Sequence, residues 1–108
     1  MTEYKYTPLR DTDKFFSPIN KFQQLMTITA EECGELTQVC MKIMRKHDNP
    51  IDARNSKFHE KLIEEAGDVL CMLELLVSNG IIKEEDLLER ADFKEMKLRK
   101  WSTIFDDK

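Results

Sequence analysis

Leu25, Ile28, Leu36, Val39 and Ile43 fall on helical steps, and Glu32 occupies the place where that apolar stripe should continue. At about 100° per residue, Glu32 lies within about 40° of Ile28, Leu36 and Val39, in the middle of the face that meets a core. An uncompensated carboxylate there costs several kcal/mol. The sequence therefore predicts both a long helix and a partner for its misplaced acid.

The same oddity returns downstream. "EEAGD" at 64–68 echoes "EECGE" at 31–35: two acids, a small residue, glycine, an acid. Glu65 falls between Leu62 and Val69 on a second stripe, formed by Phe58, Leu62, Val69, Leu73 and Leu76. Asp68, like Glu35, lies at its stripe's edge, whereas Glu31 and Glu64 point about 100° and about 140° away from the stripe centres. A solvated face suits Glu31 and Glu64. Each helix thus offers one central and one flanking carboxylate, three residues apart. Gly34 and Gly67 each cost a helix ~1 kcal/mol relative to alanine, for which close helix approach or ligand access is the expected offset. An ancient duplication of a helix hairpin explains the echo without any chemistry.

These patterns fit an all-α protein, a bundle of three to four helices. The chain has 108 residues, 41% apolar and 35% charged, with three glycines and three prolines, which suits one helical domain with solvated charged faces. We expect an N-terminal arm over 1–16 and the helical domain over 17–108. Ser17-Pro18 predicts a helix start, with the first helix over about 18–46 and a less favoured break near Thr27 or Thr29, where Thr29-x-x-Glu32 fits a capping box. "HDNP" at 47–50 is a turn, and "IDARNS" extends it or begins the next helix. The second helix is expected over about 57–78, ended by Ser78-Asn79-Gly80, and the third over about 83–101. The third starts acidic (Glu84, Glu85, Asp86) and ends basic (Lys97, Arg99, Lys100), complementing its dipole.

Composition also excludes. A net charge of −4 argues against non-specific binding of duplex nucleic acid, which draws on a basic patch. No run of 18 apolar residues exists to span a membrane, and the polar start lacks the apolar segment of a secretory signal. Cys33, Cys40 and Cys71 form no C-x-x-C pair and are expected as buried free thiols of a cytoplasmic protein. Phe15, Phe16, Phe22 and Trp101 are expected mainly in the core, with base stacking as the alternative. His47 and His59 fit solvated or capping roles. Arg45, Lys46, Arg54 and Lys57 fit a solvated loop.

Packed antiparallel, the two acid-bearing helices bring four carboxylates together. They then repel unless their pKa values rise or a cation joins them. Oxygen-only donors on rigid helices suit Mg²⁺, with Mn²⁺ as a possible substitute.

Glu31-Glu32-x-x-Glu35 followed by Glu65-x-x-Asp68 resembles the signature of the MazG-like all-α nucleotide pyrophosphohydrolases, and "EEAGDVLCMLELL" is similar to their second metal-bearing helix. The resemblance covers about residues 20–101, with a gap of 29 residues between Glu35 and Glu65 that is long for the family. It implies Mg²⁺-dependent hydrolysis of a nucleoside triphosphate, (d)NTP, to the monophosphate and pyrophosphate by water attack at the α-phosphorus. It implies Glu32, Glu35, Glu65 and Asp68 as metal ligands and Glu31 as a water-orienting acid. Lys97 and Lys100, with Lys94 a turn earlier, match the family's basic contacts to phosphate, although Glu95 stands where the family often has asparagine. Helix-end electrostatics is the competing account of these lysines. The resemblance further implies a homodimer or homotetramer, the four-helix bundle being completed by dimerisation. Met41, Met44, Met72 and Leu75 are expected in the surface a partner covers. Short members of this kind are familiar from bacteria and phages, and a phage source places the protein in the host cytoplasm.

The same acids admit other readings. A di-iron carboxylate bundle needs Glu-x-x-His on two helices, yet Met44 and Ser56 stand three residues before His47 and His59. A non-catalytic helical interaction or nucleotide-binding protein would use its acids structurally. A phosphoribosyl-ATP pyrophosphohydrolase of the same superfamily would carry a similar metal site.

Overall fold

The computed structural model describes residues 20–106. Among them every regular element is a helix: α1 (Lys21–Lys46), α2 (Pro50–Arg54), α3 (His59–Ser78) and α4 (Glu84–Trp101). The arm at 1–16 lies outside the described residues, as do Ser17 and Pro18. The first helix begins at Lys21 rather than at 18, because Asn20 and Gln23 form the capping box. The Asn20 side chain accepts from the Gln23 backbone N–H at 2.7 Å, and the Gln23 side chain accepts from the Asn20 N–H at 3.0 Å.

Helix α1 runs unbroken through both threonines. Thr29 Oγ1 donates to the Leu25 carbonyl at 2.6 Å, so its hydroxyl is absorbed by the helix instead of capping a new one. The "IDARNS" segment resolves into a helix of its own, α2, with Pro50 in the first turn and the Asn49 side chain accepting from the Asp52 N–H. Helix α3 starts at His59, two residues later than expected, and Phe58 is its N-cap. It closes on Gly80, whose φ of 75° is the left-handed region glycine favours. The Gly80 N–H donates to the Val77 carbonyl and the Ile81 N–H to the Leu76 carbonyl, each at 2.9 Å. Ile81 then packs against the cluster of Leu25, Met72 and Leu76, adding an apolar contact to the cap.

Extensive packing between helices is that of α1 against α3. Leu25 meets Met72 and Leu76 near one end of the pair, and the His47 ring approaches Phe58 edge-on at 6.3 Å near the other. Contacts that pair early α1 with late α3, and the end of α1 with the start of α3, make the two helices antiparallel. Leu25, Met72 and Leu76 form a buried cluster on which Leu73, Ile81 and Ile82 pack, and Val39 is buried apart from it.

Three expectations about burial change. Met72 belongs to this core and is unavailable to a partner, unlike the exposed Met41, Met44 and Leu75. All three cysteines are free but exposed, because α1 and α3 bury one face each and Cys33, Cys40 and Cys71 lie off those faces. Phe22 and Trp101 are likewise exposed, whereas Phe15 and Phe16 lie outside the described residues. Helix α4 buries no residue. No helix among the described residues is long and apolar enough to cross a membrane.

Candidate metal centre

The stripe positions of Glu32 and Glu65 set the geometry of the site. Antiparallel packing brings the middle of α1 against the middle of α3, and Glu32, Glu65 and Asp68 converge there. One carboxylate oxygen from each lies within 4.8 Å of the other two. Glu65 is 3% exposed, the one buried charged residue among those described, while Glu32 and Asp68 are half-buried. Loss of hydration in this groove raises the Glu32 pKa above the ordinary 4.5, and the negative charges of Asp68, Glu65 and Glu35 add to the rise.

A basic residue the sequence reading passed over completes the arrangement. Lys61 Nζ lies 3.0 Å from Glu65 Oε2 and 3.6 Å from Glu64 Oε2. Its pKa is raised, first by the hydrogen bond to Glu65 and then by the charge of Glu64. The signal was present as an i,i+4 Lys–Glu pair, a spacing that places both side chains on one helix face. Pairing with a lysine or arginine is the structural alternative for Glu65, and Lys61 is that residue.

The other predicted site residues are placed differently. Glu35 and Glu31 are exposed, and Glu35 stands outside the close trio although its charge is felt at both Glu32 and Lys61. Lys94, Lys97 and Lys100 are exposed on α4. Lys94 Nζ sits 5.3 Å from the Trp101 ring centroid and Lys97 Nζ 5.7 Å from that of Phe93, so their observed partners are aromatic rings of their own helix. Glu95 pairs with Arg99 at 2.8 Å. Surface hollows along α4, lined by Asp86, Glu89, Arg90 and Phe93 and by Asp92, Glu95, Met96 and Arg99, share no residue with the acid trio. His47 is the C-cap of α1, its backbone N–H donating to the Ile43 carbonyl, and His59 is the first residue of α3 after the N-cap Phe58. A Cβ added at Gly34 or Gly67 would meet nothing within 4 Å, so close helix approach within the chain does not account for either glycine.

Fold and site together define an all-α protein whose central antiparallel helix pair carries a carboxylate groove. No family model, curated protein or solved structure matches the chain. The donor chemistry is what bears on the site: three hard oxygen ligands from two rigid helices fit a small divalent cation of the Mg²⁺ or Mn²⁺ kind.

Proposed function

We propose that the protein is a Mg²⁺-dependent nucleoside triphosphate pyrophosphohydrolase that cleaves a (d)NTP to the monophosphate and pyrophosphate. The observation that carries this reading is the convergence of Glu32, Glu65 and Asp68 across α1 and α3. It gives spatial content to the paired acid motif that resembles the MazG-like pyrophosphohydrolases. Glu32, Glu65 and Asp68 would hold Mg²⁺, with Mn²⁺ as substitute. Glu35, already coupled electrostatically to Glu32, would join them by turning its exposed side chain inward. Bound metal would neutralise polyphosphate charge and polarise the attacking water. Glu31, adjacent to Glu32 on α1 and exposed, would orient that water.

Phosphate contacts from Lys94, Lys97 and Lys100 require α4 to reach the groove from elsewhere, and a second subunit is the economical source. Exposed apolar residues support a homodimer or homotetramer. Ile63 and Leu70, 58% and 57% exposed, stand on the side of α3 away from Glu65, so this helix has apolar faces on both sides. We place such an assembly in the cytoplasm, that of the host if the source is a phage, with no nucleic-acid or membrane partner.

One observation favours a second reading. The Lys61–Glu65 ion pair supplies a structural reason for a buried acid, as a non-catalytic helical interaction or nucleotide-binding protein would need. Pyrophosphate release from the standard ribo- and deoxyribonucleoside triphosphates, measured with Mg²⁺, with EDTA and with Glu65→Gln, decides between them. We expect turnover of at least one substrate, abolished by EDTA and reduced at least about 100-fold in the variant, since even outer partners of a metal site cost 10–100-fold. Metal-independent turnover, or a variant as active as the parent, removes Glu65 from the mechanism. Including phosphoribosyl-ATP in the panel separates that related activity.

A further inference from the structure

We infer that Lys61 is the resident counter-cation of Glu65 in the carboxylate groove, a charge with which a divalent ion must compete in order to bind. The inference rests on the metal reading above and concerns how occupancy of that same site is regulated. Glu65 is buried, and a buried carboxylate without compensation is costly. Lys61 supplies the compensation from one turn earlier on α3, its ammonium 3.0 Å from Glu65 Oε2. No buried side-chain polar atom among the described residues lacks a hydrogen-bond partner, so Glu65 is satisfied without an ion.

The Lys61 side chain is half-exposed, at 51%, so its head can leave Glu65 for water without unpacking the core. The ammonium at Oε2 takes one of the acceptor sites of the Glu65 carboxylate and offsets its charge, leaving less for a metal to gain there. The ammonium also opposes a second cation by charge. Glu64, 3.6 Å away and well exposed, provides an alternative anchor once the contact with Glu65 breaks. Lys61 thereby compensates Glu65, the buried member of the trio, when no ion is bound, and raises the ion concentration needed to fill the groove.

The test uses the full chain, with Mn²⁺ as probe followed by electron paramagnetic resonance, and thermal melting in EDTA. Lys61→Met keeps the aliphatic stem and removes the charge. It is expected to bind Mn²⁺ about fivefold more tightly, the scale of a partly exposed ion pair, and to melt below the parent in EDTA. Lys61→Gln, which can still donate to Glu65, should fall between the two in both measurements. Parent and variants binding Mn²⁺ equally, or the variants binding it more weakly, would overturn the role of Lys61 while leaving the metal site standing. Absence of Mn²⁺ binding in parent and variants alike would sink the metal reading and this inference with it.

Discussion

Glu32 of α1 and Glu65 of α3 present carboxylate oxygens to one another across an antiparallel helix pair, within 4.8 Å and with Asp68 as the third member. Like charges this close are tolerated only because each has some relief. Glu65 has Lys61, and Glu32 and Asp68 keep partial access to water; the raised Glu32 pKa records the desolvation and repulsion that remain.

The Glu32 shift fixes the sign of a pH effect. Its folded pKa lies above the ordinary 4.5, so between those two values the native state binds more protons than the unfolded state. The contribution of Glu32 to stability is greatest at low pH and declines as pH rises through that window. Glu32→Gln should therefore raise the melting temperature in EDTA at pH 7 and give no gain at pH 4. Saturating Mg²⁺ should cancel the advantage, because the variant loses a ligand. An E32Q protein that is less stable than the parent at pH 7 without metal would contradict the electrostatic account.

Packing within one chain is concentrated between α1 and α3. Leu76→Ala removes a buried side chain from the cluster with Leu25 and Met72, and urea unfolding should register a loss of about 2–4 kcal/mol. Leu88→Ala on α4, where the side chain is exposed, should change stability by no more than about 0.5 kcal/mol if α4 stands uncovered. A cost for Leu88→Ala as large as that for Leu76→Ala would show that another chain covers α4.

The outer side of α3 provides a direct test of assembly. Leu70→Glu places a charge where we expect a second subunit, and sedimentation should show the particle dissociating with its helicity retained. A parent that already sediments as a monomer would remove the oligomer from the proposal.

Gly80 ends α3 by adopting a conformation that a side chain strains. Gly80→Ala should destabilise by about 1 kcal/mol in denaturant titration, with activity per folded molecule unchanged. An unaltered midpoint would mean that the turn relaxes to another conformation at no cost.

The acid stripe, the all-helical class and the Gly80 cap were legible in the sequence because each depends on spacing of a few residues along one helix. Glu32 and Glu65 stood out as acids where leucine was due, and both lie at the α1–α3 interface. The Asn20–Gln23 cap is equally local, but Ser17-Pro18 offered a competing start of the same kind, and propensity alone could not rank the two.

Burial was different in kind. Which side of a helix becomes interior depends on what packs against it. The exposure of Cys33, Cys40, Cys71, Phe22 and Trp101, and the inward place of Met72, followed only from the pairing of α1 with α3. The separation of Glu35 from the trio likewise arises across the helix pair, where side-chain reach and interhelical geometry act together. Spacing along the chain determines which residues share a face, because helical rotation is fixed. Which faces meet, and which charges must then find a counterion, is decided by tertiary packing, since desolvation acts only where two surfaces close on each other.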